Sequence, residues 1–111
     1  MSLTPHRSDC FSEDFDLQYR WYLREAGEAV AERYFAAVLT TVRELAQNPG
    51  LGRARRFRHE ALWGLCSFRV MRPFQRHLIF YRVTETEMFA ERLMHGARDL
   101  PRRLREAPDA E

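Results

Sequence analysis

Apolar positions recur every three to four residues through the first half of the chain. In the second half they alternate or run together. Phe11, Phe15, Tyr19, Tyr22 and Ala26 fall on one helical face, which predicts a first helix from about Asp9 to Ala26. Ser8 or Asp9 offers a side-chain oxygen to cap it, and Glu13, Asp14 and Asp16 place negative charge in its first turns, where the helix dipole favours it. Gly27 is the stop. Val30, Tyr34, Ala37, Val38, Thr41, Val42 and Leu45 repeat the spacing, predicting a second helix from Glu28 to Gln47 that ends at the breaker run Asn48-Pro49-Gly50-Leu51-Gly52. So short a junction at Gly27 predicts an antiparallel helical hairpin.

Beyond Gly52 the period changes. Residues 53–60 are basic and irregular, and Cys66–Arg72 alternates as a strand does. Arg72-Pro73-Phe74-Gln75 reads as a turn or bulge. His77–Val83 is a dense apolar and aromatic run that reads as a central strand, Thr84–Glu87 as a tight polar connection, and Met88–His95 as a final strand. A short helix is expected within Arg98–Arg105. Ser2–Arg7, polar and containing Pro5, gives only weak support for an opening strand. Helices followed by strands predict an α+β fold, an N-terminal helical hairpin packed on a small twisted antiparallel sheet. One domain is expected over residues 1–111, its core at about 9–100.

Charge changes the picture more than composition does. Residues 1–48 carry five arginines and eight acids, whereas residues 49–76 carry seven arginines (Arg53, Arg55, Arg56, Arg58, Arg69, Arg72 and Arg76) and only Glu60. This basic island suits a nucleic acid or an acidic protein. All eighteen basic residues are arginine. Arginine holds an anion but takes no proton, so lysine-based acid–base chemistry is excluded. Cys10 and Cys66 form neither a disulfide framework nor a metal site and read as reduced thiols, although the sequence leaves a bridge between them open. The four histidines and two cysteines show no metal-ligand spacing, and Gly50 and Gly52 belong to a turn, not a phosphate loop. No metal or other cofactor is expected. No apolar run approaches a membrane span, and Met1–Cys10 lacks the apolar stretch of a signal peptide, so the expected location is the cytoplasm, away from membranes.

Several segments, in this order, resemble the RelE/ParE toxin superfamily in its plasmid-stabilisation, ParE-like branch. Asp14-Phe15 with Trp21-Tyr22 is similar to the signature of the family's first helix. Leu45-Ala46-Gln47-Asn48-Pro49-Gly50-Leu51-Gly52-Arg53 is similar to its helix-to-strand junction. Leu65–Val70 and His77–Arg82 resemble its middle strands, and His95-Gly96-Ala97-Arg98-Asp99-Leu100 its closing motif. The family usually opens with a clear strand, and Ser2–Arg7 departs from that pattern. The resemblance implies the poison half of a type II toxin–antitoxin pair, neutralised by a cognate antitoxin that wraps it. It implies one of two targets: DNA gyrase, inhibited by binding and leading to growth arrest, or the ribosome, where mRNA is cut. A decayed toxin that only binds antitoxin is a third reading.

If the chain is an endoribonuclease, metal-free cleavage needs a phosphate clamp and proton-transfer groups. Arg55, Arg56, Arg69, Arg72 and Arg76 are the candidate clamp. His59, His77 and His95 are of the one side-chain type whose ordinary pKa lies near neutrality, and Tyr81 or Arg98 could assist. The catalytic candidates are thus His59, Arg69, Arg72, Tyr81, His95 and Arg98. Plainer readings stand beside them: Tyr81 as a core residue with one polar tip, His77 as a satisfied strand residue, His95 bonded to a backbone carbonyl, and Arg98 with Asp99 holding the tail. With no lysine to serve as base, the ParE-like reading fits better, because inhibition by binding needs an apolar and basic surface and no poised proton acceptor. Trp21, Arg53, Arg55, Arg56 and Arg76 are then the candidate partner-binding residues, Trp21 because it lies off the main apolar face of the first helix.

Overall fold

Ser8 starts the first helix and closes a sheet edge at once. In the computed structural model, which describes residues 2–96 and 100–108, β1 (Thr4–Arg7) runs into α1 (Asp9–Glu25). Between them the Ser8 hydroxyl accepts the Phe11 N–H at 3.0 Å and donates to the Glu91 carbonyl at 2.8 Å. α1 ends where Gly27, at φ +92°, turns the chain; the N–H groups of Ala26 and Gly27 both return to the Tyr22 carbonyl. α2 (Glu28–Gln47) then runs back along α1, and Ala31, Tyr34, Ala37, Val38, Thr41, Val42 and Leu45 face inward. The helical hairpin stands as the sequence predicts.

The remaining elements are β2 (Arg53–Ala54), β3 (Cys66–Arg69), β4 (His77–Val83), β5 (Glu87–His95) and α3 (Leu100–Leu104). They form a five-stranded sheet of order β1-β5-β4-β3-β2. Neighbours are antiparallel except β1, which pairs parallel to β5 from Thr4↔Glu87 to Arg7↔Ala90. The opening strand therefore forms, and the sheet is mixed where the sequence predicts an antiparallel one. Pro5 is tolerated because β1 is an edge strand. Two irregular stretches are also more ordered than expected: Arg53–Ala54 pairs with β3, and Glu60–Leu62 forms a 3-10 turn.

β4 separates two apolar layers. Ile79 and Tyr81 pack under the hairpin with Phe11, Tyr34, Val38, Leu45, Val70, Phe74, Met88 and Leu93. Phe80 and Leu78 pack on the opposite face with Leu62, Leu65, Met94, Leu100 and Leu104. The β4–β5 register shifts between Phe80 and Tyr81, so that Tyr81 faces Ala90 and Phe80 faces Arg92. Cys10 and Cys66 are both free thiols. No described helix is long and apolar enough to cross a membrane.

The buried Tyr81 hydroxyl donates to the Pro49 carbonyl at 2.7 Å and accepts the Gly52 N–H at 3.1 Å, locking the α2–β2 junction. Gly52 is needed here for space. A β-carbon would press on that hydroxyl and sit 2.8 Å from the Ser67 carbonyl oxygen. Gly52→Ala is expected to cost about 1–3 kcal/mol of stability, read as a lower urea midpoint at unchanged slope.

Candidate functional site

The pairing of β2 with β3 decides which arginines meet. Arg53 stands opposite Ser67 and Ala54 opposite Cys66, so the basic segment after Gly52 lies against the strand that ends in Arg69. Arg53, Arg55, Arg69 and Arg72 thereby line one groove of about 670 Å³, with Leu51, Phe68, Met71 and Leu78 between them. Leu51 and Met71 are 50% and 42% exposed, a large apolar contribution to a wet surface. The groove is open, basic and partly greasy.

Within it only Arg55 is fixed. Its guanidinium donates to the Ser67 hydroxyl at 3.1 Å and lies over the rings of Phe57 and Phe80, at 5.4 and 5.8 Å from their centroids. Partial burial, followed by the charge of Arg53, lowers its pKa from the ordinary arginine value. Arg53, Arg69 and Arg72 are exposed, with no side-chain hydrogen bond or ion pair to the described residues. They are available to an outside anion. Arg56, Arg58 and Arg76 are exposed but do not line the groove.

The residues with proton-transfer chemistry are elsewhere. Tyr81 is spent on the Pro49–Gly52 backbone, and burial, with Cys66 nearby, raises its pKa. His59 accepts the Ala61 N–H through Nδ1 and caps the 3-10 turn. His77 lies buried between two tyrosines, its Nε2 3.0 Å from the Tyr22 hydroxyl and its Nδ1 3.3 Å from that of Tyr34. His95 is exposed at the end of β5, its ring 4.7 Å from that of His77, and lines a different cleft. That cleft also holds Trp21, so the structure separates Trp21 from the arginine groove. Arg98 and Asp99 lie outside the described residues. The nuclease candidates therefore do not line one site: Arg69 and Arg72 share the groove, whereas His59, Tyr81 and His95 are not among its lining residues.

A buried ion pair escaped the sequence reading. Arg92 meets Asp14 through Nε at 2.8 Å and Nη2 at 3.1 Å, and Asp14 also accepts the Leu93 N–H at 2.9 Å. Arg92 Nη1 reaches the carbonyls of Arg103, Leu104 and Glu106, tying the chain after β5 back to α1. Burial works against the Arg92 charge, but the Asp14 carboxylate outweighs it and holds the guanidinium pKa above its usual value. Nothing local in sequence marks a pair 78 residues apart.

The profile of a protein family described as the ParE toxin of the type II toxin–antitoxin system parDE matches residues 7–100. The chain belongs to the ParE toxin family. Its fold is also that of a solved chain from the chromosomal ParDE toxin–antitoxin system of P. aeruginosa. That similarity has a TM-score of 0.69 at 18% identity and covers 86% of this chain and 98% of that one. A comparison with curated proteins gives no match. The ParE match spans the hairpin and β2 to β5 and takes in only Arg7 of β1, so the arginine groove and the Asp14–Arg92 pair lie within it.

Proposed function

We propose that this ParE-family chain inhibits DNA gyrase by binding it, with growth arrest as the outcome, and that a cognate antitoxin neutralises it in the cytoplasm by occupying the arginine groove. The observation that carries this reading is the gathering of Arg53, Arg55, Arg69 and Arg72 around exposed Leu51 and Met71. An acidic, amphipathic segment complements such a surface: its carboxylates meet guanidinium forks while its apolar face covers Leu51, Phe68 and Met71. Binding is favoured over mRNA cleavage because the groove holds clamps without a titrating partner. His59 and Tyr81 are engaged with backbone groups, and His77 is buried.

The decisive experiment runs the purified chain in two assays. Loss of gyrase supercoiling with translation intact is the expected result; arrested translation with cut mRNA would replace gyrase with the ribosome as target. Absence of growth arrest on expression without antitoxin would leave only an antitoxin-binding module. Replacing Arg53 and Arg72 together by alanine is expected to weaken antitoxin binding roughly 100-fold, more steeply at low salt. The melting temperature should barely move, because neither side chain bonds the described fold.

A further inference from the structure

A second basic cleft lies apart from the arginine groove, between α1 and the segment that follows β5. Its volume is about 430 Å³, in the range of a small-molecule site. Its lining comes from α1, with Arg20, Trp21 and Arg24, from Arg102 and Arg103 of α3, and from His95 at the end of β5. The Asp14–Arg92 pair lines it too. Both carboxylates among the described lining residues are already engaged, Asp14 by Arg92 and Glu106 by Arg102. Among the described lining residues positive charge is in excess, and Arg20 and Arg24, one helical turn apart, make no ion pair with the described residues. Between them in sequence the Trp21 indole is 47% exposed.

We propose that this cleft binds a nucleotide, with its phosphate held by Arg20 and Arg24 and its base stacked on Trp21. The two requirements are met by different groups. Guanidinium forks match phosphate oxygens in geometry and never lose their charge. An exposed indole beside them offers the π-face on which bases of any sequence stack. An acidic peptide would use the arginines and leave the indole without a matched flat partner. The small concave volume suits one nucleotide unit, either free or at an accessible position in a single strand. This site is independent of gyrase inhibition, and its test involves neither gyrase nor antitoxin.

The test uses the full chain with Trp63→Phe, which leaves Trp21 as the only tryptophan. Its fluorescence is followed at low salt while AMP, a short single-stranded oligonucleotide or inorganic phosphate is added. AMP is expected to quench Trp21 saturably, and the Arg20→Ala/Arg24→Ala pair to weaken that binding at least about tenfold at an unchanged melting temperature. Arg53→Ala, in the other groove, should leave the quenching of Trp21 by AMP unchanged. An oligonucleotide that binds much more tightly than AMP identifies the strand as source, and equal affinity identifies the free nucleotide; either result supports the site. Inorganic phosphate binding as tightly as AMP would overturn the role of the base. No saturable quenching by roughly millimolar AMP or oligonucleotide would overturn the proposal.

Discussion

Replacing Asp14 by alanine is expected to cost about 3–5 kcal/mol, the largest loss from any single change considered for this chain. The carboxylate is a hub: it takes two N–H bonds from Arg92 and the backbone N–H of Leu93. β1 covers the edge of β5 only as far as Ala90. From there the edge is closed by Ser8, whose N–H donates to the Ala90 carbonyl and whose hydroxyl donates to that of Glu91, and by Asp14, which takes the Leu93 N–H. Without Asp14 an arginine that is 7% exposed keeps its charge and loses its counterion, while a buried strand N–H loses its acceptor.

The same reasoning predicts a smaller cost when both partners go. Asp14→Leu with Arg92→Met removes the stranded charge, so the double variant should recover much of the loss. Its remaining defect should be local. Arg92 Nη1 serves the carbonyls of Arg103, Leu104 and Glu106, and their loss should loosen the segment carrying α3 while leaving the hairpin core intact. Urea midpoints of the two single variants and the double give the coupling; hydrogen exchange at Leu104 gives the local loosening. A double variant as unstable as the sum of the singles would show that the pair is not the source of the effect.

The elements read most clearly from sequence are those whose periodicity follows from burial. α2 presents one inward face through its length, and β4 is buried on both faces, so the bounds Glu28–Gln47 and His77–Val83 agree with the structure. β1 is obscure because all four of its side chains are exposed: it exists through backbone pairing to β5 and leaves no apolar pattern. β2 is obscure because two residues carry no period. The basic island was legible as charge, but which arginines share a groove depends on the Arg53↔Ser67 register, a relation between residues far apart in the chain. That is why Arg56 and Arg76 could not be separated in advance from Arg53 and Arg55. Tyr81 and His77 were placed correctly as strand residues. What each polar atom touches, Pro49 and Gly52 for one and Tyr22 and Tyr34 for the other, is set by tertiary contact alone.

Acidification provides the second large effect, through His77. The ring is 1% exposed and lies between the hydroxyls of Tyr22 and Tyr34, where a neutral imidazole uses one nitrogen as donor and the other as acceptor. Burial, and then the neighbouring His95, push its pKa from 6.5 down to about 3. The unfolded chain therefore takes up the proton first. Stability is full above pH 6.5 and is lost as pH falls from there towards 3, at up to about 1.4 kcal/mol per pH unit. Between pH 7 and pH 5 this one ring should remove about 2 kcal/mol. His77→Gln keeps a donor and an acceptor for the two tyrosines but has nothing to titrate. Its stability at pH 7 should be lower than that of the parent chain, yet its fall between pH 7 and pH 5 should be smaller by that amount. Urea unfolding of both proteins at the two pH values makes the comparison, with carboxylates and the other histidines as a common background. Parallel pH profiles would mean that His77 is not the titrating group and that the acid sensitivity of the hairpin–sheet interface lies elsewhere.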